Sequence, residues 1–154
     1  MTLSTDATPA RRLPAEEQNR PAGRTVQIRG EADLLLVRST LRTAAGQAGL
    51  GLTAATKLIT AGSELARNIV GYATGRQGTL SVEPVSDGRR SGVRATFADT
   101  GPGIEDLDAA LTDGYSTAGS LGLGLPGSRR LVDQFSIDSA PGRGTTVVIT
   151  TWAR

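Results

Sequence analysis

Ala98-Asp99-Thr100-Gly101-Pro102-Gly103-Ile104 is the stretch around which the rest of the chain is organised. It follows Val93-Arg94-Ala95-Thr96-Phe97, an apolar run that predicts a strand. A carboxylate is thus delivered at a strand end, with Gly-x-Gly directly behind it. Ionised Asp99 accepts hydrogen bonds and donates none, so an exocyclic amine such as that of adenine is a natural partner. Gly101 and Gly103 permit positive φ and close approach of the backbone to a flat ligand. Alone, D-x-G-x-G also serves as strand-to-turn punctuation. Its flanks decide between the two readings.

Upstream, Thr25-Val26-Gln27-Ile28-Arg29 alternates and predicts an edge strand. Asp33 is placed to cap a helix from Leu34 to about Ala48, with Leu34, Leu35, Val37, Leu41, Ala44, Ala45 and Ala48 as its apolar positions. Thr53 opens a second helix to about Tyr72 or Ala73, with Leu58, Leu65, Ile69 and Tyr72 as its buried stripe and Ile59, Ala66 and Val70 beside it. Glu64 and Asn68 are four residues apart and share one face of it. Thr60 and Gly71 neighbour them, and Gly71 leaves room for a ligand or a closing loop. A solvated polar face is the plain reading of Glu64 and Asn68. Yet Asn is a poor helix former, and here it interrupts Leu65-Ala66 and Ile69-Val70. A local conflict of that kind is what a functional site produces.

Residues 79–85 and 93–98 predict two antiparallel strands, with Asp87-Gly88 and Ser91-Gly92 supplying the turn. Pro84 calls for a bulge or an edge position. A short helix from Asp106 to Leu111 comes next. Residues 113–120, Asp-Gly-Tyr-Ser-Thr-Ala-Gly-Ser, are small and polar, as a mobile lid or an ordinary surface loop would be. Leu121-Gly122-Leu123-Gly124-Leu125-Pro126-Gly127 then leads into a helix from Ser128 to about Gln134. Glycines before a helix expose N–H groups at its positive end, where phosphate is favoured, although Pro126 also fits plain helix-start geometry. Residues 135–139 and 145–152 predict the last strands, with Gly142-Arg143-Gly144 as their turn. Residues 1–23 are rich in Pro, Arg, Glu, Thr and Ala without periodicity and predict a disordered extension. Residues 24–154 form the domain.

Composition excludes much. At 154 residues the chain suits one core, and the scarcity of aromatics leaves Leu, Val, Ile and Ala to fill it. With 17 basic and 15 acidic residues the balance does not suggest a nucleic-acid footprint. Without cysteine or histidine there is no thiolate nucleophile, no imidazole base, no Ser-His-Asp triad and no autophosphorylated His. Lys57 is the only lysine, and no glycine-rich loop precedes it, so there is no Walker A loop. No apolar run is long enough for a membrane span or a signal peptide, and a cytoplasmic location is expected.

The ordered set E-x-x-x-N on a helix, D-x-G-x-G after a strand, a Gly-rich lid and G-x-G at a helix start resembles the GHKL ATPase and kinase superfamily. That resemblance implies an α+β, two-layer α/β sandwich of the Bergerat type, with helices on one face of a mixed sheet, binding ATP and Mg²⁺. Within it, Ser63 to Ile69 with Tyr72-Ala73, residues 99–104, residues 113–117, residues 122–127 and Trp152-Ala153-Arg154 are similar to the RsbT-like serine kinases of bacterial stress-signalling modules. The resemblance covers about Val26 to Arg154. It implies that Asp99 accepts the adenine amine, that Gly101, Gly103 and Ile104 form the loop against it, and that Thr145 completes the pocket. Gly122, Gly124 and Leu125 would donate N–H groups to phosphates. Asn68 would hold Mg²⁺, and Glu64 would act as general base on a serine or threonine hydroxyl. The implied substrate is a STAS-domain protein of the antagonist or stressosome type, with a PP2C-type phosphatase as a second partner. The alternative is an ATP-binding module that sequesters a sigma factor. The first helix and the open sheet face are candidates for a homodimer contact.

One departure stands out. Between Glu105 and Ser128 there are four acids and no lysine or arginine, whereas many relatives carry a basic residue in the lid. Charge stabilisation during phosphoryl transfer then falls to Mg²⁺, the helix start at Gly124, and Arg67 or a partner's residue. Slow chemistry without the bound protein substrate is expected.

Overall fold

The computed structural model describes residues 2–4, 23–72, 77–104, 106–111 and 124–154. Strands β1 (Thr2–Ser4) and β2 (Arg24–Ile28) precede helices α1 (Leu34–Ala48) and α2 (Leu52–Tyr72). Then come β3 (Gly78–Ser86), β4 (Ser91–Asp99), the short α3 (Leu107–Ala110), α4 (Gly124–Leu131), β5 (Gln134–Ala140) and β6 (Gly144–Trp152). The sheet has six strands in the order β1-β5-β6-β4-β3-β2.

Alternation along the strands sends one side of the sheet to the core. Leu80 and Val82 of β3, Val93, Ala95 and Phe97 of β4, and Val147 and Ile149 of β6 are buried on that side. Val37, Leu41 and Ala45 of α1 and Leu58, Ala61, Leu65 and Ile69 of α2 cover them in one cluster. Each fully buried Leu, Ile or Phe contributes roughly 1.5–3 kcal/mol. The opposite side carries Thr25, Gln27 and Ser81, all exposed. Helices therefore pack on one face only, and the two-layer α+β sandwich holds.

Every strand pairing is antiparallel, which corrects the expected mixed sheet. The connection through α3 and α4 carries the chain from β4 to β5 running the same way. The β5–β6 hairpin then places β6 between them, antiparallel to both. Among the described residues no parallel pair forms.

Other differences are local. Thr2–Ser4 pairs with residues 136–138 of β5, where the sequence predicts an unstructured extension. Without it β5 would be an edge, and its free N–H and C=O groups accept a further strand. Residues 5–22 lie outside the described residues. Asp33 does not cap α1 through its side chain; its Oδ2 instead accepts the Arg29 N–H at 2.7 Å, because a 3-10 turn over Glu31–Asp33 leads into the helix. Ser91 and Gly92 belong to β4, and the turn is closed by Asp87, whose Oδ1 accepts the N–H groups of Arg89 and Arg90. Those two N–H groups hold the exposed Asp87 carboxyl down at about 2. Pro84 sits in the regular ladder opposite Val93, beyond the last residue paired with β2, and so occupies an edge position. Helix α4 starts at Gly124, four residues before the expected Ser128, because Pro126 falls in a first turn that needs no N–H from it.

Candidate nucleotide site

Two clusters form at one end of the sheet. The first is the loop after β4. The Gly101 N–H donates to Asp99 Oδ1 at 2.8 Å, and the Thr145 backbone N–H lies near that carboxylate across the β4–β6 pair. Burial raises the Asp99 carboxyl above its ordinary value of 3.8, and these two N–H groups offset part of the rise. Asp99 and Thr145 face each other across β4 and β6, and Ser139 and Thr145 face each other across β5 and β6. Three in-register strands thus set Asp99, Thr145 and Ser139 side by side, one step beyond Phe97, Val147 and Ile137 of the core.

The Gly-x-Gly loop is fastened to the last hairpin. The Gly142 N–H donates to the Pro102 carbonyl at 2.8 Å, and the Ile104 N–H donates to Ser139 Oγ at 2.9 Å. Gly103 has φ +78°, and a Cβ there would come within 2.0 Å of the Ala140 carbonyl oxygen. Gly144 has φ +77°, and a Cβ there would come within 2.2 Å of the Asp99 carbonyl oxygen. Both positions demand glycine twice over, for conformation and for space. These two glycines make the loop and hairpin touch backbone to backbone.

The second cluster is on α2. Glu64 and Asn68 share a partly exposed face, and Arg67 Nη1 meets Glu64 Oε1 at 2.6 Å. Helix α4 packs against α2, held by the buried Ser128, whose Oγ donates to the Ala61 carbonyl at 3.5 Å. This brings the start of α4 to Asn68: a Cβ built on Gly124 would lie 3.8 Å from Asn68 Nδ2. The N-terminal N–H groups of an eight-residue helix therefore open beside the neutral side-chain amide of Asn68. At Gly71 a Cβ would meet no atom of the described residues within 4 Å.

The two clusters are linked through Ile69. Its side chain packs on Gly78, where a Cβ would come within 2.8 Å of Ile69 Cγ2, and Gly78 pairs with Asp99. Asn68 and Asp99 thus stand at the same end of the fold, one on the helix layer and one on the sheet layer.

The structure brings together Asp99, Gly101, Gly103, Ile104 and Thr145 as one group, and Glu64, Arg67, Asn68 and Gly124 as another. Leu125 sits in the first turn of α4, packed against the core. Gly122 and the lid at 113–120 lie outside the described residues. Ser139 is the residue that sequence reasoning missed. Its only signal is parity: it continues the inward series Phe135, Ile137 at the strand end that faces Thr145.

An oxygen-donor amide beside a helix start suits a hydrated Mg²⁺ on a polyphosphate, since that ion takes few protein ligands. Among the described residues there is no group of three or more acidic side chains that would make a separate metal cage.

Residues 53–154 match the family described as histidine kinase-, DNA gyrase B-, and HSP90-like ATPase. Over 129 residues the chain is 41% identical to the serine/threonine-protein kinase RsbT of Bacillus subtilis, covering 84% of this chain and 96% of that protein. Among solved structures, the mycobacterial sensor histidine kinase MprB is similar with a TM-score of 0.53 at 16% identity, covering 86% of this chain and 98% of that one. The last likeness shows the fold. With the clamp around Asp99 and the helix start at Asn68 already in place, the conclusion is that this chain belongs to the histidine kinase-, DNA gyrase B- and HSP90-like ATPase family.

Proposed function

We propose that the chain is an ATP- and Mg²⁺-dependent protein serine/threonine kinase and switch protein. The observation that carries this reading is the placement of Glu64 one helical turn before Asn68, with Asn68 against the start of α4. The 41% identity to a serine/threonine-protein kinase supports it. Asp99 and Thr145 would hold adenine. The helix start at Gly124 and Leu125, with Gly122, would take the phosphates, and Asn68 would hold Mg²⁺, which when bound neutralises charge on the triphosphate. Glu64 would take the proton of a serine or threonine hydroxyl as that oxygen bonds the γ-phosphorus and the bond to the β-phosphate oxygen breaks, leaving ADP. Arg67 would hold the Glu64 carboxylate and supply positive charge near the transferred group.

The substrate we propose is a STAS-domain antagonist or stressosome protein in bacterial sigma-factor or stress signalling, met in the cytoplasm. Released from it, the chain would bind and activate a PP2C-type phosphatase. Exposed Leu35 and Leu36 on α1 give a protein partner or a second copy apolar surface to cover. No helix among the described residues is long and apolar enough to cross a membrane.

The test is transfer of label from Mg-ATP to a STAS-domain protein of the same genome. Phosphoserine or phosphothreonine on that protein supports the reading. Bound ATP with no transfer to any such protein contradicts it and favours the other class, a module that sequesters a sigma factor with ATP as a structural ligand.

A further inference from the structure

Ser139 makes more hydrogen bonds than its one proton can supply. Its Oγ accepts the Ile104 N–H at 2.9 Å, lies 3.1 Å from the Gly144 carbonyl oxygen, and lies 2.8 Å from Thr145 Oγ1. The side chain is 2% exposed, so no bulk water corrects a mismatch. A serine hydroxyl has one proton and two lone pairs. The Gly144 carbonyl has no proton to give, so the Ser139 proton goes there. Thr145 must then donate its own proton to Ser139. That assignment satisfies all three contacts; the reverse would set two oxygens 3.1 Å apart with no proton between them.

The consequence falls on Thr145. With its proton turned to Ser139, its free lone pair is what it offers on the side toward Asp99. Asp99 lies opposite it on β4 and, when ionised, is an acceptor only. We infer that Ser139, through the Ile104–Ser139–Thr145–Gly144 contacts, fixes Thr145 as an acceptor and so makes the pocket select a 6-amino purine over a 6-oxo purine. Ser139 is a positioning residue in this account, since it acts through Thr145. The inference rests on the nucleotide-binding reading above and adds the rule by which the base is chosen. An amino group brings two N–H donors to a wall of acceptors. A 6-oxo group brings another acceptor, which leaves lone pairs facing each other in a half-buried site.

The test compares dissociation constants for ATP and inosine triphosphate, which differ in the 6-substituent and in the N1 proton that goes with the 6-oxo form, by calorimetry. The proteins are the wild-type chain, Ser139→Ala, Ser139→Thr, Thr145→Val and the Ser139→Ala/Thr145→Val double variant, each with its melting temperature. Wild type should prefer ATP. Ser139→Ala should narrow that preference by about tenfold, because the freed Thr145 proton can turn to a 6-oxo group. Ser139→Thr, which keeps the hydroxyl, should retain it. In the double variant, Ser139→Ala should add nothing beyond Thr145→Val. A merely structural Ser139 would weaken both nucleotides equally. A folded Ser139→Ala protein with an unchanged ratio overturns the inference while leaving ATP binding in place. If Ser139→Ala does not fold, an unchanged ratio in Thr145→Val overturns it. Failure of the wild-type chain to bind ATP overturns the nucleotide reading and this inference with it.

Discussion

Glu64 and Arg67 meet at 2.6 Å on one face of α2, and Asn68 follows directly. Both side chains are partly exposed, so the ion pair adds only ~0–1 kcal/mol to stability. Its consequence lies in position. The carboxylate proposed as base is held beside the only cation that the sequence offers in this helix after Lys57. Arg67→Ala should therefore leave the melting temperature and ATP affinity near wild type and lower phosphotransfer by about tenfold. Arg67→Lys should recover part of the loss. Equal transfer by Arg67→Ala and wild type would remove Arg67 from the site.

Asp99 gives a pH dependence whose sign is fixed. Burial raises its carboxyl in the empty folded chain. By linkage, the stability this contributes is present below the unfolded value of about 3.8 and is lost as pH rises through the folded one. A bound amine reverses the preference, because it donates to the ionised form. Adenine-nucleotide affinity should be full above the raised value and should fall as pH drops through it. Asp99→Asn should lose about a hundredfold in affinity and lose the pH dependence with it. Titration calorimetry across the acid range reads both, and an Asp99→Asn chain that binds ATP normally would contradict the assignment.

Glycine substitutions should separate fold from site. Gly103→Ala puts a Cβ on the Ala140 carbonyl at a positive φ, and it should destabilise the chain by roughly 1–3 kcal/mol. Among the described residues, Gly124→Ala meets Asn68 Nδ2 alone, at an ordinary 3.8 Å. Its melting temperature should hold. ATP affinity should fall while adenosine affinity does not, because the crowding is at the phosphate end. Equal losses for the two ligands would place the phosphates elsewhere.

Removing residues 1–22 should leave ATP binding and phosphotransfer intact, since β2 to β6 contain both clusters. The three β1 residues add a short strand at the edge of β5, so the loss in stability should be small. A truncated chain that does not fold would place part of the domain in residues 1–22.

Sequence reasoning reached the elements well where periodicity is local. The helix over Leu34–Ala48 and the buried Leu58, Leu65 and Ile69 of α2 follow from 3.6-residue spacing, the Tyr72 side chain lying outside the described residues, and β3 to β6 follow from alternation closed by glycine turns. Asp99 and Asn68 were legible because each breaks a local pattern, a carboxylate at a strand end and an amide in mid-helix. What escaped is long-range. The position of β6 between β4 and β5 is set by tertiary pairing, so neither the antiparallel sheet nor the row Asp99–Thr145–Ser139 can be read from any window of sequence. Ser139 looks like any strand serine until its neighbours are known. The early start of α4 is not fixed by the sequence, because a Gly-rich run that leads into a helix does not mark where the first turn begins, and Pro126 suits a first turn at more than one register.

In the proposed reaction Glu64 moves the proton while Asn68 and its neighbours bind the nucleotide. The most direct measurement is single-turnover transfer from saturating Mg-ATP to the protein substrate, for wild type and Glu64→Gln, with ATP affinity measured on the same preparations. The account predicts affinity within about twofold of wild type and transfer slowed by about a hundredfold or more. Transfer at the wild-type rate from Glu64→Gln, with ATP bound equally well, would contradict it.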